Sequence, residues 1–170
     1  MRKTYNIIEK TISIVLILSG IFILWLSLDL LLEKLDIVVR SNDNSYSGLS
    51  HYYYGYFRDF HLVVIFALLS IISGILLLKS KKNGWFLSAI VFIGFSISIL
   101  LRNWLNPESD FHNPGNSTVI AIGTTILLLL VGVLHFAKPF KKKYNVNSKD
   151  ILFILLGLGI IIVDIYVFKK

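Results

Sequence analysis

The chain has 170 residues, 55% of them apolar and 16% charged, with a formal net charge of +7 and a mean hydropathy of +0.74. A soluble chain of this size carries about 25% charged residues, so these figures exclude a disordered chain and argue against an ordinary soluble domain. Cysteine is absent, which excludes disulfides, a thiol nucleophile, thiolate metal sites and iron–sulfur clusters.

The composition and its pattern predict an all-α integral membrane protein, a five-span helix bundle forming a single transmembrane domain over 1–170. The opening Met1-Arg2-Lys3 and the apolar run after it mimic a signal peptide. That run is too long for a signal core and no small-x-small site follows, so a retained first helix is expected. The spans expected are 12–32, 60–78, 85–101, 119–136 and 151–168. Each approaches the ~20 residues that cross about 30 Å of hydrocarbon. Residues 33–59 are expected as one long extracytoplasmic loop, and the connections 79–84 and 138–149 as short basic inner ones.

Charge sets the orientation. With the N-terminus in the cytoplasm, eleven cations fall inside with only Glu9 and Asp150 as acids, and six cations fall outside with the other eight acids. The positive-inside rule therefore places the N-terminus in and the C-terminus out, with Lys169 and Lys170 as the discordant pair. In a soluble protein a pI near 9.6 would raise nucleic acid as a partner. Here the lysines flank apolar runs in short clusters, so no nucleic-acid partner is expected. A lysine-rich inner face points to a bacterial-type plasma (inner) membrane. Tyr5, Trp85 and Tyr144 are expected as inner interfacial anchors, and Trp104 and Tyr166 as outer ones. Trp25 lies deeper, as a packing or lipid-facing residue.

Local signals mark the ends. Asn106-Pro107 and Asn113-Pro114-Gly115 are turns. Ser117 or Thr118 is expected to cap the fourth span, and Asn147 or Ser148 the fifth. Gly74-Ile75-Leu76 before Lys79 and Gly132-Val133-Leu134 before Lys138 suggest a faint repeat of two hairpins, a pattern the topology rule alone also produces.

Candidate site residues fall mainly on the expected outer side. Asp29 and Asp164 are carboxylates about 5 Å inside the outer edge of their spans. Such a group marks an ion or proton site, a pair with Arg58 or Arg102, or simply a helix end reaching headgroup water. Three of the four arginines, Arg40, Arg58 and Arg102, lie outside. With Asp29, Asp59, His61, Asp110, His112 and Asp164 they form a candidate polar cluster, read as a tie between loops or as a site for an anionic headgroup or solute. The histidines His51, His61 and His112 show no metal-ligand spacing, so neither metal nor cofactor is expected. Tyr52, Tyr53, Tyr54, Tyr56 and Phe57 form a candidate partner surface, with an interfacial aromatic belt as the plain alternative. His135 is expected at the inner interface.

Three motif resemblances carry little. Gly94-Phe95-Ser96-Ile97-Ser98 lacks the last glycine of a serine-nucleophile elbow, and Ser96 and His135 belong to opposite membrane halves. Ser70/Gly74 and Gly94/Ser98 instead suggest close helix packing. Gly157-Leu158-Gly159 opens no strand-turn-helix unit. Asn116-Ser117-Thr118 is a sequon adjoining the membrane.

The leading expectation is a non-enzymatic accessory or interaction protein whose outer loops contact membrane lipid, a membrane-protein partner or a second copy in a homo-oligomer. A small transporter or channel component using Asp29 and Asp164 is the alternative, and a membrane-embedded lipid-modifying enzyme the third.

Overall fold

A computed structural model describes residues 2–40, 46–105 and 116–167, with side chains over 5–33, 61–101 and 122–167. Its elements are all helices: α1 (Arg2–Arg40), α2 (Tyr46–Leu78), α3 (Lys82–Leu105), α4 (Asn116–Leu134), α5 (Lys138–Lys143) and α6 (Ser148–Val167). Proline stands inside none of the long helices; Pro139 occupies the first turn of α5, where its missing N–H costs nothing.

Four stretches are long and apolar enough to cross a membrane: Tyr5–Glu33, His61–Leu78, Lys82–Leu101 and Ser148–Val167. They coincide with the first, second, third and fifth expected spans. The fourth expected span falls on α4, whose described apolar stretch is the shorter Ile122–Leu134. The segment 33–59, expected as a loop, is helical over 33–40 and 46–59. At 39 and 33 residues, α1 and α2 measure about 58 and 50 Å, far beyond the ~30 Å a crossing needs.

α3 is the most enclosed spanning helix and α1 the least. The broad contacts run α1 to α2, α2 to α3, α3 to α4 and α3 to α6. α4 and α6 thus each dock on α3, whereas α2 and α3 pack as a hairpin, and the two expected hairpins are not built alike. The seam between α1 and α2 is tight because it is made at glycines. A Cβ on Gly74 would stand 2.7 Å from Ser13 O and from Ile17 Cγ1, and one on Gly20 2.7 Å from Ala67 O. Close backbone approach is how membrane helices gain dispersion contact where lipid is as apolar as the partner. Gly94 on α3 instead makes room for side chains, those of Ile161 and Phe66.

Buried serines in the bundle satisfy their hydroxyls on their own helix. Ser73 donates to Ser70 O (3.0 Å), Ser98 to Phe95 O (2.7 Å) and Ser96 to Phe92 O (2.7 Å). Ser96 also reaches Thr125 O on α4 at 3.4 Å. Ser96 therefore serves helix packing and does not meet His135.

The turns at the lysine-rich end are left-handed caps. Ser80 (φ 49°) closes α2, with its N–H on Leu77 O (2.8 Å) and that of Lys81 on Leu76 O (2.9 Å). Asn145 (φ 48°) closes α5, with Val146 N–H on Lys141 O (3.0 Å). Glycine is the residue this geometry favours. Ser80→Gly should therefore raise stability by about 0.5 kcal/mol, read as a higher thermal unfolding midpoint in detergent; a lowered midpoint would contradict it.

Candidate functional site

Among the described residues, the buried ionisable side chains gather at two levels, one at the lysine-rich end of the bundle and one near the other end. At the lysine-rich end, α1 carries Glu9 into the protein, where it is only 4% exposed. A carboxylate there is costly unless both oxygens are engaged. Tyr144 O–H donates to Oε1 and Lys143 Nζ to Oε2. Lys143 also reaches Asn6 Oδ1 (3.4 Å), and Ser13 Oγ donates to the Glu9 carbonyl (2.7 Å). Burial first, then the bond to Glu9 and its charge, push the Tyr144 phenol well above its ordinary value of 10.0, so it stays a donor. The segment α5 thereby clamps α1, which otherwise leans chiefly on α2.

Beside this clamp lies a second buried pair. α4 ends at Leu134, and the turn beyond it inserts His135 against α3. His135 Nδ1 is 2.8 Å from Val131 O and Nε2 2.8 Å from Ser88 Oγ, which is itself 2.9 Å from Trp85 O. A carbonyl only accepts, so Nδ1 carries a proton, and in the neutral ring Nε2 competes with Trp85 O for the single Ser88 hydroxyl hydrogen. Trp85 Nε1 closes the group by donating to the His135 carbonyl (2.9 Å). Burial holds the imidazole below its ordinary 6.5, against the raising effects of the Val131 bond and of Glu9.

The folded state thus takes up the His135 proton at lower pH than the unfolded chain. Its contribution to stability is complete above about pH 6.5 and is lost as pH falls through the lowered folded value. The unfolding midpoint should drop between pH 7 and pH 5, and His135→Gln should flatten that slope. An unchanged slope in the variant would contradict the assignment.

A third pair joins the two lysine-rich connections. Lys82 Nζ lies 2.7 Å from Asp150 Oδ2 and 3.2 Å from Asn145 O. Asp150 also completes a reciprocal cap: its N–H reaches Asn147 Oδ1 (3.2 Å), while Asn147 N–H donates to Asp150 Oδ2 (2.8 Å). Asn147 is therefore the cap of the last helix, one of the two residues expected. Rings fill the space between the pairs. Trp85 packs against Phe136 (5.7 Å) and Tyr144 (6.4 Å), and Phe140 against His135 (6.2 Å) and Tyr5 (5.7 Å). Trp85 and Tyr144, expected as interfacial anchors, are instead core residues, and His135 is buried rather than interfacial. Chemically this level is a clamp. Ser88 and His135 have nucleophile–base contact, but Ser88 is 0% exposed and offers no face to a substrate carbonyl.

At the other level, His61 of α2 meets Asp164 of α6, Nε2 to Oδ2 at 2.8 Å, with His61 buried and Asp164 half-buried. Helix rise gives the depth. Asp164 stands about 21 Å along α6 from Asp150, inside a slab of about 30 Å, whereas Asp29 stands about 30 Å along α1 from Glu9, at its edge. Asp29 is exposed on α1. The two carboxylates expected to share a role are thus in different settings.

Of the remaining candidates, Arg58 and Asp59 lie on α2 and Arg102 on α3, with side chains outside the described residues; Asp110 and His112 lie outside them entirely. Tyr52, Tyr53, Tyr54, Tyr56 and Phe57 also stand on α2, again with side chains outside the described set. Asp164, for which a pair with Arg58 or Arg102 is one of the readings, meets His61. No three His, Cys, Asp or Glu among the described residues form a group able to hold a metal. Sequence reasoning missed the Glu9 clamp and the Ser88–His135 pair. The signal available for the first was that Glu9 and Asp150 are the only acids expected on the lysine side; both are in ion pairs. Comparison with protein-family models, with curated proteins and with solved structures finds no match.

Proposed function

We propose that the chain is a five-span protein of a bacterial-type plasma membrane, N-terminus in and C-terminus out, that works by contact rather than catalysis. One observation carries this reading: α1 and α2 are far longer than a crossing requires. With Glu9 at the inner level, α1 continues about 17 Å past Asp29 to Arg40, and α2 begins about 22 Å before His61. The excess of both helices falls at the end opposite the lysines. It makes a helical projection into the outer space, with the aromatic run 52–57 about 6–14 Å beyond His61. Tyrosine-rich surface is well suited to protein contact because each ring offers large area at low entropic cost. The partner is a second membrane protein or another copy of this chain.

A photo-crosslinking phenylalanine analogue in place of Tyr54 should give one discrete adduct in native membranes, lost when the run 52–57 is replaced by serine. Failure to form any adduct at 52, 53, 54 and 56 would overturn the proposal.

A second reading, a small transporter or channel component, has the His61–Asp164 pair in its favour, since an ionisable pair at that depth is expensive and often serves proton or ion movement. Flux in proteoliposomes that is abolished by Asp164→Asn would favour it over the contact reading.

A further inference from the structure

Nine lysines at the inner end have described side chains, and among these only Lys82 and Lys143 have an acid partner among the described residues. The two acids there are consumed by those pairs, and both are buried. The rest of that end is left with positive charge that nothing in the described fold neutralises. Topology explains why the lysines are on one side. It does not explain how they are displayed, and the display is specific.

α5 turns Phe140 into the core and leaves Lys138 and Lys142 exposed. Lys141 lies over the Phe136 ring at 5.7 Å, so its stem covers apolar surface while the ammonium stays at the rim. Lys79 and Lys81 are exposed on the α2–α3 turn. The Lys82 bond to Asn145 O holds that turn against the end of α5. Five lysines are therefore carried on two connections tied together by hydrogen bonds and rings, at the level where the apolar helices end.

From this charge, its lack of acid partners and its position, we propose that α5 and the α2–α3 turn form a docking surface for the headgroups of anionic phospholipids. Ammonium groups at this level sit within a Debye length of the leaflet's phosphates, and each basic residue near such a surface adds several-fold to association. The headgroup phosphates supply the counter-charge that the protein withholds. The inference rests on membrane embedding alone; it needs neither the outer projection nor its partner.

The full chain, reconstituted in phosphatidylcholine, is probed with trace spin-labelled phosphatidylglycerol or phosphatidylcholine, and the protein-restricted fraction of each is read by electron spin resonance. At low salt the anionic probe should be favoured at least threefold, with most of that preference gone at 0.5 M salt as screening shortens to a few ångströms. Lys138→Gln/Lys141→Gln/Lys142→Gln should cut the preference to below about 1.5-fold. Lys169→Gln/Lys170→Gln, beyond the last residue of α6, should leave it intact. The salt titration of the unmodified chain keeps the test decisive if the triple variant folds poorly. No preference in the unmodified chain, or a preference the triple variant retains, would overturn the proposal. So would full competition by millimolar glycerol phosphate in solution, which would indicate a site for a soluble anion instead. A failed crosslink at Tyr54 leaves these outcomes unaffected.

Discussion

Replacing Lys143 with methionine should cost the folded chain about 3 kcal/mol, because it strips the counter-ion from a carboxylate that is 4% exposed. The loss exceeds that of an ordinary surface lysine because Glu9 has no route back to water. Tyr144 would remain as donor, which limits the damage, and Lys143 itself is partly exposed, which keeps the figure at the low end for a buried pair. Removing both charges should be milder than removing one. Glu9→Gln in the Lys143→Met background leaves the Tyr144 bond in place and no buried charge, and should recover more than half of the loss. Thermal or denaturant unfolding in detergent reads this directly. A double variant no better than Lys143→Met would mean that Glu9 is not the buried charge described.

The second large effect belongs to the α1–α2 seam. Gly74→Leu should cost about 3 kcal/mol, since even its Cβ would stand 2.7 Å from the Ser13 carbonyl and 3.2 Å from Ile17 N, and backbone cannot yield as a flexible side chain does. Gly159→Leu makes the matched comparison. A Cβ at Gly159 meets nothing within 4 Å, so the same substitution on α6 should be neutral or stabilising by up to about 1 kcal/mol through helix propensity. Unfolding midpoints of the two variants should therefore move apart. Equal shifts would place the close approach elsewhere.

What could be read from sequence divides along physical lines. Apolar runs such as Ile151 onward and Phe60 onward are legible because hydrocarbon tolerates nothing else for ~20 residues, and helices do form there. The stretches 33–40 and 46–59 were illegible as helix because the criterion was hydropathy, whereas polar residues can extend a helix already nucleated by an apolar span. α5 was missed for another reason: six residues, Lys138–Lys143, do not make a stable helix by propensity, and this one is held by Phe140 in the core and by Lys143 and Tyr144 on Glu9.

The site shows the same division. Glu9 and Lys143 are separated by 134 residues, so no local spacing joins them. The pairing of Ser88 with His135 required knowing that the turn after α4 tucks inward, which the backbone bonds of His135, Phe136 and Ala137 show but hydropathy does not. Trp85 and Tyr144 fit an interfacial belt by position, and only their contacts reveal them as core. For Asp164 the partner was not legible, since His61, Arg58 and Arg102 all lie at or near the same end of their apolar spans.

The account places the lysine face of α5 and the aromatic run of α2 on opposite sides of one membrane. The chain contains no cysteine, so single introduced thiols report without background. Tyr54→Cys and Lys142→Cys, each treated in intact cells with a membrane-impermeant maleimide, test the claim most directly. Tyr54→Cys should react at once from outside, and Lys142→Cys only after the membrane is permeabilised. Labelling of both from the same side would contradict the account.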